Sequence, residues 1–168
     1  SRAGYYEKRG DTIAYNNEIR NALMNRRIDV DTKLSIFSTY IVGLMKKKQE
    51  LNRVDSLFTE MLEQYPQEEP VHRLFGMDLS SRKDFSRAEE QYAIAADLAP
   101  TNPENWLQLI GLYLYQEKYA EVIRVGKRAI QYVPDQKDIY MYVAVASAQT
   151  KSYDAVSYTH LTLPTSDL

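Results

Sequence analysis

The side chains that most often carry chemistry are few and scattered in this chain. Its two histidines, His72 and His160, lie far apart and share no motif, so neither a metal site nor a catalytic triad is indicated. Asp29 and Asp31 have the spacing of calcium ligands, but the loop lacks the glycine and the distal glutamate that such a site needs. Helix capping is the better interpretation, with Asp31 expected at the N-cap of a helix that begins near Lys33.

No other pattern supports catalysis. The chain has no cysteine, which removes thiolate nucleophiles and disulfides. The basic run Lys46, Lys47 and Lys48 could meet a phosphate or an acidic peptide, but lysines at the end of a helix also complement its dipole, and we interpret the run as a solvated helix end. The six glycines form no phosphate-binding motif. We therefore expect a protein that is not an enzyme and that holds no cofactor and no metal.

Composition and charge narrow the class of partner. The 168 residues are 44% hydrophobic and 26% charged, which suits one ordinary folded domain. With 21 basic against 23 acidic residues the net charge is −2, so we expect no nucleic-acid partner. No apolar run approaches the roughly 18 residues of a membrane span. The start, SRAGYYEKRG, has neither a methionine nor a signal-like apolar core; we expect a cut edge there, and the compartment stays open.

A fixed interval organises the sequence. Pro66, Pro100 and Pro134 are evenly spaced along the chain, and other residue types repeat in phase with them. The positions twelve and five residues before each proline are always small or apolar, and they are Val54, Ala88 and Val122, then Met61, Ala95 and Ala129. A period that several residue types share indicates internal repeats.

Each period has the pattern of two antiparallel helices. Apolar side chains step by three or four residues, which places them on one stripe of a helix; one such stripe is Phe85, Ala88, Tyr92, Ala95 and Ala99, and another is Leu51, Val54, Phe58, Met61 and Tyr65. Polar breaks lie in the middle of each period, at 46–50, 80–84 and 116–119. We expect one helix on each side of each break.

The stretch LAPTNPENW, residues 98–106, is a joint between two periods. Pro100 ends the preceding helix because it has no N–H and its ring clashes with the turn before it. Asn102 is expected to cap the next helix, with Pro103 at the first helical position and Glu104 near the positive end of the helix dipole. The joint also carries the chain's only tryptophan, Trp106.

At these residues the chain resembles the tetratricopeptide repeat (TPR) family, which implies an all-α, right-handed α-solenoid of antiparallel helix pairs. The matching positions are Gly76, Ala88, Tyr92, Ala95 and Pro100 in one repeat and Trp106, Tyr113, Ala129 and Pro134 in the next. Small residues belong where helices cross closely, since a larger side chain would cost about 1 to 3 kcal/mol. Gly126 departs from the pattern, because Phe58 and Tyr92 put a ring at that phase; we expect local repacking there.

The resemblance predicts a series of segments. They are a degenerate N-terminal repeat at 1–34, repeats at 35–68, 69–102 and 103–136, a truncated repeat of one helix and a turn at 137–155, and a tail at 156–168. Val156 to Thr165 resembles the translation of a transposon-end adapter used in DNA sequencing. We therefore expect the tail to be non-native and irregular, and the natural protein to continue differently after 155.

The resemblance also implies where a partner would bind. First helices of TPR repeats line a concave groove, and the corresponding positions here are Thr39, Gly43, Lys46, Arg73, Met77, Ser80, Ser81, Leu107, Gly111, Leu114, Tyr115, Met141, Val145 and Gln149. The strongest groove candidates are Arg73, Met77, Leu107, Gly111, Leu114, Tyr115, Met141 and Val145. Such a mixed apolar surface suits a peptide or a helical segment of another protein.

Alternatives to a peptide-binding scaffold remain open at this point. The repeats could form a structural spacer or a self-associating segment of a larger protein, and self-association would occupy the groove with a second copy. A TPR clamp for C-terminal carboxylates is disfavoured, because no asparagine accompanies Arg73. An RNA-binding helical repeat would need a basic inner face, which the sequence lacks.

Overall fold

The chain is helical throughout most of the part that the computed structural model describes, residues 2–3, 12–47 and 51–166. The helices are α1 Thr12–Met24, α2 Val30–Lys47, α3 Leu51–Gln64, α4 Glu69–Ser81, α5 Phe85–Leu98, α6 Pro103–Tyr115, α7 Tyr119–Tyr132 and α8 Lys137–Ser166. No strand occurs within those ranges, so the predicted all-α class is confirmed. The chain divides into two compact units, residues 1–78 and 79–168, and the division falls within α4.

An aromatic core holds the unit of residues 1–78. Phe37 of α2 meets Phe58 of α3 edge to face, with ring centroids 5.1 Å apart, and Phe58 stacks on Phe75 of α4 at 4.5 Å. All three rings are buried, as are Val54 and Met61 on the same stripe of α3. The predicted apolar stripe therefore faces the core, where aromatic pairs add about 0.5 to 1.5 kcal/mol beyond the area they bury.

The start of α2 corrects one prediction. The helix begins at Val30, and its cap is Asp29, whose carboxylate accepts the Thr32 N–H at 2.9 Å and the Thr32 hydroxyl at 2.7 Å. Asp31 lies in the first helical turn instead. A capping side chain must precede the first helical residue to reach the free N–H groups of that turn, and only Asp29 does so. The Thr32 hydrogen bonds lower the pKa of Asp29.

Small residues let the helices of residues 79–168 approach one another. Ala88, Ala95 and Ala129 are fully buried, as their repeat positions predict. In that unit α5 contacts α6, α6 contacts α7, and α8 contacts both α6 and α7. Gly126 of α7 is also explained, because a Cβ there would collide with the side chain of Val143 in α8. The ring that other repeats carry at this phase is replaced by a valine from the neighbouring helix.

Two turns within this unit share an unusual backbone. Lys83 and Glu117, which are one repeat apart, have φ values of 63° and 58°. At the first turn the Lys83 N–H bonds to Ser80 O at 3.0 Å, and the next N–H bonds to Leu79 O at 2.9 Å. This is the Schellman pattern that ends helices, and it places at its left-handed position a residue that is usually glycine. At the second turn the Glu117 N–H bonds to Leu114 O at 3.0 Å and the Lys118 N–H bonds to Tyr113 O at 2.9 Å. The predicted breaks at 80–84 and 116–119 are confirmed, whereas the one at 46–50 lies partly outside the described residues.

The same type of hydrogen bond occurs at each of the three proline joints. Each repeat proline follows the end of a helix by two residues, and its carbonyl is bonded by the side chain six residues later. The three pairs are His72 Nε2 with Pro66 O at 2.7 Å, Trp106 Nε1 with Pro100 O at 2.6 Å and Tyr140 Oη with Pro134 O at 2.8 Å. Three different side chains thus fix the end of one helix to the start of the next.

The last helix differs from expectation. A turn was expected at 151–155 and an irregular tail at 156–168, but α8 runs without a break through Ser166. Lys151 is in phase with Lys83 and Glu117 but stays helical.

Candidate functional site

A cleft of about 530 Å³ opens in the unit of residues 79–168. Its lining comes from the end of α4, the turn that follows, and helices α5, α6 and α8. The eleven lining residues, called the α6 cleft below, are Ser80, Ser81, Lys83, Phe85, Tyr92, Leu107, Gln108, Gly111, Leu112, Tyr115 and Tyr142. A volume of this size is in the range of ligand and peptide sites.

Helix α6 is held in place at its start. Asn102 Oδ1 accepts the Glu104 N–H at 3.1 Å and Pro103 occupies the first turn, which confirms the predicted cap. Asn105, fully buried, donates to Ala95 O at 3.1 Å. Together with the Trp106 bond to Pro100 O, these contacts attach the start of α6 to the end of α5. The cleft therefore has a firmly anchored floor.

The floor itself is one face of α6. Leu107, Gly111 and Tyr115 are each four residues apart, so they lie on successive turns of the same face. Gly111 leaves the middle of this face open, because a Cβ built there would have no atom within 4 Å. A glycine inside a helix costs about 0.5 to 1 kcal/mol relative to alanine, and no neighbour within the described chain requires it.

An aromatic wall borders the Tyr115 end of the cleft. Tyr115 is 71% exposed, yet its ring meets Phe85 edge to face with centroids 5.6 Å apart. Tyr92 is buried beneath, and Tyr142 reaches the cleft from α8. An exposed ring held by a second ring suits contact with a partner, because little side-chain freedom remains to be lost on binding.

The polar part of the lining carries one charge. Ser80, Ser81 and Gln108 are neutral, and Lys83 is the only charged residue among the eleven. Within the part of the chain that the structure describes, Lys83 forms no ion pair. Two acidic residues close to Lys83 in sequence, Asp84 and Glu89, do not line the cleft and pair with Arg87 and Lys118. The cleft is thus apolar at one end and cationic at the other.

The structure brings some of the predicted groove residues together and not others. Leu107, Gly111 and Tyr115 line the α6 cleft, whereas Leu114 is partly buried outside its lining. Met141 and Val145 are 53% and 42% exposed on α8 and do not line it. The predicted face of α6 is therefore part of a cleft, while the predicted face of α8 is a separate apolar surface.

Two further groove candidates belong to the unit of residues 1–78. Arg73 Nε donates to Glu69 Oε1 at 2.8 Å, a pairing within α4 that occupies the guanidinium. Met77 is 40% exposed. A smaller cleft of about 140 Å³ lies elsewhere in this unit and includes Arg20, whose guanidinium pairs with Glu60. Neither the predicted residues nor this cleft combine an open apolar face with an unpaired charge.

Several lining residues were missed by the sequence prediction. Lys83 lies in a turn that the pattern marked only as a polar break, and Phe85 was assigned to the apolar packing stripe of its helix. Tyr142 belongs to α8, which is the second helix after α6. The exposed Tyr115 was the available signal, because its packing partner Phe85 begins the helix on the other side of the turn.

Among the described residues no group of three or more histidines, cysteines or carboxylates could hold a metal ion. Burial, followed by the carboxylates of Glu89 and Glu121, raises the pKa of Tyr113, so this phenol stays neutral and is not a base at neutral pH. No described helix has both the length and the apolar character to cross a membrane.

Comparison with known proteins bears on the fold. No protein-family model and no curated protein sequence matches the chain. Among solved structures, a mutant form of MamA matches with a TM-score of 0.55 and 18% identity, covering 92% of this chain and 91% of that one. MamA contains TPR repeats, so the likeness shows a TPR-like α-solenoid fold class, as the resemblance in sequence implied.

Proposed function

We propose that this chain is a non-catalytic protein-interaction scaffold and that its α6 cleft binds a peptide or helical segment of a partner protein. The observation that carries the proposal is the face of α6, where Leu107, open Gly111 and exposed Tyr115 form one continuous surface beneath a cleft of about 530 Å³. Peptide grooves in helical proteins use such faces, in which a few apolar anchors supply most of the affinity.

The surroundings of this face of α6 support a role in binding a partner, in contrast to a surface that only contacts solvent. A large exposed ring such as Tyr115 has its apolar area in water when the cleft is empty, and burying it would contribute about 25 cal/mol per Å². Gly111 adds a place where a partner backbone can approach the helix closely. The firm anchoring of α6 through Asn105 and Trp106 means that the face is formed before binding.

The decisive variant is Gly111→Leu. Because a Cβ at this position would have no atom within 4 Å, a leucine side chain can start there without a clash and extend into the cleft, and leucine is a better helix former than glycine by about 1 kcal/mol. The variant should therefore keep or raise stability while filling the cleft. A displayed library of random twelve-residue peptides would be selected on the unmodified chain, and the affinity of a selected peptide measured by fluorescence anisotropy. We expect Gly111→Leu to weaken binding at least tenfold.

A matched control is Ala120→Leu, which adds the same kind of side chain at an exposed position of α7 outside the cleft. It should leave binding unchanged. Removing the anchors with Leu107→Ala and Tyr115→Ala together should cost clearly more than about 1 kcal/mol of binding free energy. Peptides that bind Gly111→Leu as tightly as the unmodified chain would refute the assignment of the site.

A second candidate function is self-association through α8. It is favoured by the exposed apolar residues Tyr140, Met141 and Val145, which lie within five residues of one another on that helix. Apolar residues grouped on a surface often mark an interface. Sedimentation velocity over a range of concentrations would test this role, with Met141→Ser and Val145→Ser expected to shift any oligomer toward monomer. A concentration-independent monomer would exclude it under the conditions used.

A further inference from the structure

The distribution of charge in the α6 cleft suggests which peptide it takes. We infer that the cleft recognises an extended segment in which a large apolar side chain and an aspartate or glutamate lie two residues apart, in either order. This inference rests on the proposed function and goes beyond it by naming the chemistry of the partner.

The first step concerns the direction of the cleft. Lys83 is two residues before Phe85, and Phe85 contacts Tyr115 at the last turn of α6. The cation therefore lies at the Tyr115 end, while the Leu107 end of the same face has no charged lining residue. An occupant that matches both ends carries its apolar group toward Leu107 and Gly111 and a negative group toward Lys83.

The second step concerns the spacing. Gly111 and Tyr115 are four residues apart on a helix that rises about 1.5 Å per residue, so they are separated by about 6 Å along its axis. In an extended chain, side chains at positions i and i+2 point to the same side and lie about 6.6 Å apart. For an extended peptide lying along α6 in either chain direction, an apolar residue over Gly111 thus brings the side chain two positions away to the level of Tyr115, the end at which Lys83 lies.

The third step concerns the sign and the source of the charge. No carboxylate lines the cleft, so an acidic group would meet no repulsion from the lining itself. The adjacent hydroxyl of Ser80 can donate a hydrogen bond to a carboxylate. An acidic side chain inside a segment, in contrast to a chain end, lets the peptide continue past Tyr115 toward the open side of the cleft.

The test uses the peptide library described above, selected in parallel on the unmodified chain and on Gly111→Leu. The expected result is enrichment on the unmodified chain alone of peptides with a large apolar residue and, two positions before or after it, aspartate or glutamate. A synthetic peptide of the enriched sequence, acetylated and amidated at its ends, should then bind Lys83→Gln about two- to fivefold more weakly, as expected for an exposed ion pair.

A charge control and a thermodynamic cycle make the result specific. Lys127→Gln removes an exposed lysine of α7 outside the cleft and should not change the affinity. Replacing the acidic residue of the peptide by its amide should weaken binding to the unmodified chain but not to Lys83→Gln, because the two changes remove one interaction.

The outcomes separate this inference from the proposed function. Enriched peptides without the acidic preference, or an equal loss for Lys83→Gln and Lys127→Gln, would overturn the inference and leave the binding cleft intact. A preference for C-terminal carboxylates, seen as loss of binding on amidation, would also overturn it. Absence of any peptide enriched over Gly111→Leu would defeat the proposed function, and the inference with it.

Discussion

Replacing Glu117 by glycine should stabilise this protein. Glu117 has φ of 58° at the left-handed position of the Schellman turn between α6 and α7, and its N–H bonds to Leu114 O at 3.0 Å. A non-glycine residue pays roughly 1–2 kcal/mol for that conformation. Glycine avoids this cost but loses about 0.5–1 kcal/mol through the greater freedom of its unfolded chain. The net expectation is a gain of about 0.5–1 kcal/mol in the free energy of unfolding.

The same change, glutamate to glycine, should lower the free energy of unfolding when it is made inside a right-handed helix. Glu90 is exposed in the interior of α5, within the same compact unit, and Glu90→Gly removes the same charge. Because glycine is a poor helix former, this variant should lose about 0.5–1 kcal/mol. The pair therefore separates the backbone effect at Glu117 from the effect of removing a carboxylate.

The measurement is urea unfolding followed by far-ultraviolet circular dichroism. With a slope of about 2 kcal/mol per molar urea, Glu117→Gly should raise the midpoint by about 0.25–0.5 M and Glu90→Gly should lower it by a similar amount, with no change of slope. If both glycine variants destabilise the chain equally, the left-handed turn is not strained and the reasoning about it is wrong. Lys83→Gly, at the equivalent turn, should behave like Glu117→Gly.

Three further changes test other parts of the structure. Tyr140→Phe removes only the hydroxyl that bonds the joint carbonyl and should cost about 0.5–1.5 kcal/mol of unfolding free energy in thermal or urea melts; an unchanged melt would show that this bond does not stabilise the joint. Gly126→Ala should cost about 1–3 kcal/mol by overpacking against Val143, and Val143→Ala in the same chain should restore part of that loss; additive losses would contradict the contact. NMR titration should place the pKa of Asp29 below its ordinary value, with Thr32→Ala moving it upward; since the folded-state pKa is the lower one, the capping bonds stabilise the protein above the unfolded pKa and lose their effect as the pH falls through the folded value.

Local patterns in the sequence were sufficient for the helices and for their joints. The evenly spaced prolines predicted where helices end, and Asn102 was predicted correctly as a cap. These features depend on residues within one or two turns of each other, so the order of residue types alone encodes them. The face formed by Leu107 and Tyr115 is local in a similar sense, since positions separated by whole helical turns share one side of a helix.

Errors had local and distant causes. Asp31 was predicted as the cap of α2, but the cap is Asp29, two residues earlier. The run of residues at 151–155 resembles earlier turns, yet it stays helical. Gly126 departs from the repeat pattern because a Cβ there would collide with Val143 of the neighbouring helix. That contact cannot be read from residues close in the chain.

The sequence by itself determined the all-α class, the interval of the repeats and the face of α6 that a partner could contact, because periodicity and capping act over a few residues. Only the tertiary structure decided that Lys83, Phe85 and Tyr142 meet that face. They come from a turn and two other helices, and their positions depend on how the helices pack. The cleft and its single charge are therefore consequences of packing, which the linear order does not express.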